Sequence, residues 1–385
     1  MRTKDLPPDA PGHYQRSHPH PYYIPEKLPL SSPIEIDEDL AATISDATFQ
    51  LGRIDGISPT VDFSPVLYTS LLRLEAVETA EIEGADVEVD EVYAYHTRQK
   101  SGNSGRVSRD LQEVLNAERA LSNGFDAIKR GESISVGLLK SLHETLLEGV
   151  RNGGDVVGEW RDDDVHIPSP RRGQAPFVPP PADRVPELMD SLEAYIQMDG
   201  EYHPLVDLAI THYQLETIHP CSDGNGRLGR ILIVLQLHKA GYLSEPYLYP
   251  SAYFNRNKQE YVETMRAVSE AGRWRDWIAF FIEGIEEQAK DSYERTLELL
   301  ELRREYEAQY PNQKTSHKLA RELFELPYFT ADDITDRFDV SRQTAYNAIE
   351  ELESDGLVIE VTGQQRNREY KAIDVFDILE RPIQR

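Results

Sequence analysis

Five stretches of helical periodicity follow one another with only short breaks between them, at about residues 183–198, 204–218, 225–240, 255–270 and 273–307. A chain with that pattern folds its middle as packed helices, because apolar residues every three or four positions must all bury on one side. Three more helical patterns come earlier. Val66, Leu67, Leu71, Leu74, Val77 and Ile82 repeat at helical spacing after Pro65 and stop at Gly84, and two further patterns cover about 108–130 and 135–149. Before them lies an opening of 35 residues punctuated by Pro7, Pro8, Pro11, Pro19, Pro21, Pro25, Pro29 and Pro33. Proline removes the backbone donor a helix needs, so this opening reads as an extended arm lying on the rest. After Pro311 the composition resets to three short helical segments and two β-prone runs, Leu357 to Val361 and Glu369 to Ala372. At 385 residues the chain has room for two or three domains.

Composition excludes several classes. An apolar run such as Ile231 to Leu235 is far below the roughly 18 residues of a membrane span. The polar start has no secretory signal pattern, so a cytoplasmic protein without a membrane partner is expected. One cysteine, Cys221, rules out a disulfide framework or a Cys-based zinc cluster within the chain. The net charge is -27, and only 11 of the 41 basic residues are lysine. That balance repels nucleic acid unless basic residues gather locally, and it suits a halophilic, high-salt cytoplasm in which self-repulsion is screened.

The segment between the second and third of the five helices, His219-Pro-Cys-Ser-Asp-Gly-Asn-Gly-Arg-Leu-Gly-Arg230, concentrates chemistry. Gly224, Asn225 and Gly226 permit a turn that gathers backbone N–H groups at a helix N-terminus, which is an anion nest. Arg227 and Arg230, three apart on the first turn, face one side and suit phosphate oxygens. Asp223 is a hard oxygen ligand fit for Mg²⁺ shared with phosphates, and His219 can take a proton at neutral pH. The spacing of His212, Glu216 and His219 also resembles a metal-binding helix face, yet no further ligands complete it.

This segment resembles the signature of the Fic (filamentation induced by cAMP) family, His-x-Phe-x-(Asp/Glu)-Gly-Asn-Gly-Arg-x-x-Arg. It departs from it only at Cys221, where the family has Phe. A thiol in that place leaves space or is compensated by neighbours; it reads as a buried inert group, with a reactive nucleophile as the alternative. The likeness extends over roughly 40–290, through GEWRDDDVHI and FVPPPADRVPELMDSLEAYI upstream and SEPYLYPSAYFNRNKQEYVETMRAV downstream. It implies a mainly α fold, a Fic helical core with a small β-hairpin flap, and transfer of AMP from ATP to a Ser, Thr or Tyr hydroxyl of a target protein. The same fold also serves AMP removal. By that resemblance His219 is the base, Asp223 holds Mg²⁺ and the Gly224 to Gly226 backbone cradles phosphates. Arg227 takes the β-phosphate and Arg230 the γ-phosphate. Asn257 is a candidate near the adenine, with a helix cap as the alternative.

Thr79-Ala-Glu-Ile-Glu83-Gly84 resembles the inhibitory pattern (Ser/Thr)-x-x-x-Glu-(Gly/Asn) of one Fic class. Glu83 can pair bidentately with a phosphate-binding arginine and misplace ATP. Arg171, Arg172 and Gly173 read as the tip of the flap, which in this family registers a target segment by main-chain pairing. The C-terminal segment resembles a winged helix, with SRQTAYNAIEELESDG as its recognition helix and Ser341 as that helix's cap. Over 315–385, nine basic residues stand against fifteen acidic ones, a net of -6, so both DNA binding and a protein-docking or dimerising module stay open.

The expected organisation is an N-terminal arm and inhibitory helix region at 1–100, the catalytic core at 101–290, a helical connector at 291–314 and a winged helix-turn-helix domain at 315–385. The expected function is an autoinhibited protein adenylyltransferase using ATP and Mg²⁺. The alternative is a DNA-binding transcriptional regulator with a nucleotide-sensing Fic core. A second copy of the chain as partner is left open.

Overall fold

The proline-rich opening forms a hairpin in which β1 (Gly12–Gln15) pairs antiparallel with β2 (Tyr22–Pro25), Gly12 opposite Pro25. In this computed structural model the described residues are 6, 10–57, 64–100, 107–150, 157–168, 176–198, 200–310 and 314–381. The arm lies on the helices as expected: Tyr23 is fully buried, its N–H donates to the Val178 carbonyl at 2.8 Å, and Gln214 Nε2 donates to the Glu26 carbonyl at 2.8 Å.

Helices α1 (Glu38–Ile57), α2 (Ser64–Ile82) and α3 (Val89–Lys100) follow. The first and third are additions to the sequence reading. On α1 the residues Leu40, Ile44, Ala47, Leu51 and Ile54 recur at helical spacing and are buried. The core continues through α4 (Arg109–Lys129) and α5 (Val136–Leu147), which begin at Ser108 and Ser135, each accepting a backbone N–H three residues on. Then come α6 (Val185–Gln197), α7 (Pro204–Ile218) and α8 (Asn225–Lys239). The single helix expected at 255–270 is two, α9 (Ser251–Arg256) and α10 (Lys258–Ala271), broken at Asn257.

Helix α11 (Trp274–Gln309), 36 residues long, is the spine. Its first half is core, with Trp277, Ile278, Phe281, Ile282 and Ile285 buried, and it packs along α1, α7, α9 and α10. Its second half carries the C-terminal domain: Arg295 donates to the carbonyls of Ile378, Leu379 and Arg381, and Tyr306 to Asp374 at 2.6 Å. The expected connector is thus the continuation of a core helix.

The C-terminal domain runs α12 (Thr315–Glu322), β3 (Tyr328–Thr330), α13 (Ala331–Phe338), α14 (Arg342–Ser354), β4 (Val358–Glu360), β5 (Glu369–Ala372) and α15 (Ile373–Leu379). The sheet order is β3-β5-β4, all antiparallel, which makes a winged helix with one strand and one helix more than the sequence predicted. Ser341 caps α14 by accepting from the Thr344 N–H. This domain is joined closely to the rest. Tyr328 and Phe376 pack with Val89, Tyr93 and Ala94 of α3, and Leu74 and Val77 of α2 rest against the same cluster. Arg98 holds Glu369 through Nε and Nη2, each at 2.8 Å, and Tyr328 donates to the same carboxylate at 2.7 Å. Among the described residues no helix is long and apolar enough to cross a membrane.

Candidate active site

The loop from His219 to Gly224 is held from three sides. His219 ends α7 in the left-handed conformation, φ 51°, and its carbonyl accepts Arg161 Nε at 2.8 Å. The Arg161 N–H donates to the Pro220 carbonyl at 2.9 Å. From below, His143 accepts the Gly158 N–H at Nδ1, which leaves Nε2–H to donate to the Asp223 carbonyl at 3.0 Å. The third support is Asn225, only 2% exposed, whose side chain accepts the Cys221 N–H and donates to the Cys221 carbonyl, both at 2.8 Å. Cys221 itself is fully buried in the apolar core beneath the loop, which fits the inert reading. Asn225→Ala strips two buried backbone groups of their partner. At about 1 to 3 kcal/mol for each buried unsatisfied group, stability falls by roughly 2 to 6 kcal/mol, measurable as a lower urea midpoint.

Gly224, at φ 76°, opens α8. Gly226 on its first turn is a cradle in the strict sense: a Cβ there would lie 2.4 Å from Glu83 Oε1 and 2.8 Å from Arg230 Nη1. The carboxylate of Glu83, carried in by the end of α2, therefore lies over the nest. Arg230, 1% exposed, donates through Nη2 to Glu83 Oε1 at 2.7 Å and to the Thr79 carbonyl at 3.0 Å, and through Nε to Thr79 Oγ1 at 2.7 Å. The pair is formed through one carboxylate oxygen, not the bidentate fork expected, because Thr79 takes the guanidinium's second edge. Burial pushes the Glu83 carboxyl up, but the Arg230 charge and hydrogen bond outweigh it and hold it below its ordinary range. Gly84, at φ 103°, ends the helix just beyond. Two more contacts fix α2. Glu75 accepts the Ser251 N–H at 3.0 Å, its burial pushing its carboxyl up to about 8, and Lys258 donates to the Ile82 carbonyl.

A cavity of about 300 Å³ opens in front of this pair, lined by Glu83, Gly226, Arg230, His219 and Glu216 at one end and by Ile167, Phe177, Val262 and Met265 at the other. Ile167 and Phe177 exchange N–H to carbonyl bonds at 2.9 Å, closing the base of the flap. Its expected tip, Arg171, Arg172 and Gly173, lies outside the described residues. The His219 ring directs Nδ1 to the Glu216 carbonyl at 3.4 Å, which can only accept, so Nε2 is the nitrogen able to take a proton. Burial, with Arg161 adding, lowers its pKa to about 4, so the ring is neutral at pH 7.

The other sequence candidates stand around this cavity. Arg227, although three residues from Arg230, reaches a different partner, Glu113 Oε2 of α4 at 3.1 Å, with Asp223 Oδ1 at 3.6 Å. The Asp223 side chain is 43% exposed at the rim and accepts the Gly224 N–H at 2.6 Å. One hard, solvent-reaching carboxylate beside an anion nest fits Mg²⁺ shared with phosphates, an ion that takes one or two protein oxygens and keeps water. Asn257 is not brought to the cavity. It sits between α9 and α10, donates to the Tyr253 carbonyl at 3.0 Å and lines a separate cleft with Arg256 and Arg273. His212 lies behind the loop, engaging the Gly229 carbonyl at 3.2 Å and the Tyr261 hydroxyl at 2.5 Å. Residues the sequence did not single out are Arg161, His143 and Glu113; Glu216, read there only as part of a metal-like spacing, lines the cavity instead.

A helical core with a loop built in this way marks a class of domain, and the chain carries it: a Fic domain with its N-terminal companion. The Fic/DOC family profile matches residues 133–237, the Fic/DOC family N-terminal profile residues 41–126 and an HTH domain profile residues 316–366. Among curated relatives, a protein named "Probable protein adenylyltransferase" in Aquifex aeolicus is 27% identical over 201 residues, 52% of this chain and 56% of that one. The protein adenylyltransferase Fic of Aedes aegypti is 30% identical over 200 residues, 51% of this chain and 35% of that one. The chain thus spans about half or less of these relatives' length. A Fic family protein from Desulfovibrio desulfuricans shares the fold, with a TM-score of 0.58 at 21% identity, over 89% of this chain and 98% of that one.

Proposed function

We propose that this chain is an autoinhibited protein adenylyltransferase that moves AMP from ATP to a Ser, Thr or Tyr hydroxyl of a target protein. The observation that carries this reading is the Glu83 carboxylate seated on Arg230 over Gly226. An acid from outside the loop fills an anion position that a nest, a helix N-terminus and a guanidinium create together. The names of the curated relatives support the same chemistry.

In this reading phosphates take the place of Glu83. The Gly224 to Gly226 backbone and Arg230 bind them, with Arg227 beside. His219 Nε2 accepts the proton of the incoming hydroxyl as its oxygen attacks the α-phosphorus and the bond to pyrophosphate breaks. Asp223 is the residue to hold Mg²⁺, whose charge neutralises phosphate oxygens. Asp223→Ala is expected to need much higher Mg²⁺ for any activity, and an unaltered Mg²⁺ titration counts against the assignment.

The direct test is incubation of the protein, and of Glu83→Gly, with ATP labelled at the α-phosphate and a cell lysate. Label on protein is the expected result; its absence with both proteins overturns the reading. A DNA-binding regulator with a nucleotide-sensing core has less support, because Arg342, at the start of α14, is held by Asp332 at 2.6 and 2.8 Å. Binding of ATP with no transfer would favour that alternative.

A further inference from the structure

Two carboxylates reach the cavity from different helices, and they are treated differently. Glu83 is bonded to Arg230. Glu216, one turn before His219 on α7, lines the same cavity, yet its Oε1 is sealed from solvent and accepts no hydrogen bond. The close crossing of α7 and α8 sets its position: a Cβ on Gly229 would stand 2.5 Å from that oxygen. Although Arg230 is the next residue, the hydrogen bonds of its Nε and Nη2 run to Thr79 and Glu83. A buried carboxylate oxygen without a donor is unfavourable in its charged form.

The groups facing Glu216 sharpen this. Glu83 comes from α2, Arg230 from α8 and Tyr261 from α10, with Lys258 and Arg266 along the α10 wall and His212 and His219 on α7 itself. Both histidines are neutral at pH 7, lowered to about 3 and about 4 chiefly by burial. Burial lifts Glu216 to about 7; the nearby Arg230 opposes the rise and Glu83 adds to it. Glu216 therefore changes charge in the neutral range.

We infer that Glu216 is a proton-carrying positioning residue: when a nucleotide phosphate displaces the Glu83 carboxylate, Glu216 takes a proton from solvent and its O–H donates to a phosphate oxygen. The inference rests on the nucleotide reading of the site. Its physical basis is charge. A triphosphate end brings more negative charge into the place a single carboxylate held, so it repels an ionised Glu216 and stabilises the neutral acid. Because the complex then holds more protons than the free protein, ATP affinity falls as pH rises through about 7 and above.

The test is calorimetric titration of Glu83→Gly with Mg·ATP between pH 6.5 and 8.5, in buffers of different ionisation heat. About half to one proton taken up per nucleotide near pH 7.5 is expected, with affinity falling by up to about tenfold per pH unit above the Glu216 pKa. Adding Glu216→Gln, a permanently neutral donor of the same shape, should hold the affinity at pH 8.5 near its value at pH 6.5 and remove the uptake. Adding Glu216→Ala, which lacks the donor, should weaken binding at every pH. Equal uptake and equal pH slope with and without Glu216→Gln overturn the inference alone. No ATP binding by Glu83→Gly at any pH overturns the nucleotide reading, and the inference with it.

Discussion

Replacing His219 by alanine is expected to lower AMP transfer by about 10²- to 10⁴-fold, the range for loss of a general base, while ATP binding persists. The split follows from geometry. Phosphate would be held by the Gly224 to Gly226 turn and Arg230, none of which depends on the imidazole. In the proposed reading Nε2 is the nitrogen that takes the proton, because Nδ1 is turned to the Glu216 carbonyl. The pH dependence carries a sign. A histidine whose folded pKa is lowered to about 4 stays in its base form as pH falls through 6.5, so the acid limb of kcat/KM for ATP, which reports the free enzyme, lies near pH 4. Single-turnover transfer with nucleotide binding measured in parallel checks both statements; undiminished transfer in His219→Ala would remove His219 from the role of base.

Replacing Glu83 by glycine is expected to raise transfer, self-modification included, by about tenfold. Hydrogen bonds to charged groups contribute about 1.5 to 3 kcal/mol, and with the Glu83 side chain 39% exposed water screens the pair, so the lower end of the range applies. About 1.4 kcal/mol corresponds to a factor of ten. Arg230 keeps its Thr79 contacts in this variant, so the guanidinium stays in place with its Nη2 released toward the nest. The gain should vanish when His219→Ala is added. Equal transfer by the wild type and Glu83→Gly would remove the inhibitory assignment and leave the catalytic one standing.

The loop was legible because its chemistry is contiguous. Turn residues, a carboxylate and two arginines sit within twelve positions, and each has a local reason to be there. The helix ending at Gly84 was legible for the same reason. What surrounds the loop was not: Arg161, His143 and Glu113 arrive from elements distant in sequence, and nothing in their local spacing says which carbonyl or guanidinium they meet. Arg227 and Arg230 illustrate the limit. A separation of three places them on one side of α8, but α4 offers Glu113 to the first and α2 offers Thr79 and Glu83 to the second, so they diverge. Helix α1 was legible in principle, since Leu40, Ile44, Ala47, Leu51 and Ile54 keep helical spacing with the acids Glu38, Asp39 and Asp46 on the other side. The break at Asn257 is a matter of how α9 and α10 pack, which helical periodicity does not encode.

Helix α2 is gripped on two sides, by Arg230 through Thr79 and Glu83 and by the winged-helix seam through Leu74 and Val77. The seam makes the composition change at Pro311 a poor place to cut. A fragment ending there loses Tyr328 and Phe376, bares Tyr93 and the outer side of α2, and leaves Arg98 without the Glu369 carboxylate. What reads along the chain as a detachable module is, in space, the back wall of the helix that bears Glu83. Any exchange of the C-terminal domain between relatives therefore has to carry the matching faces of α2 and α3 with it.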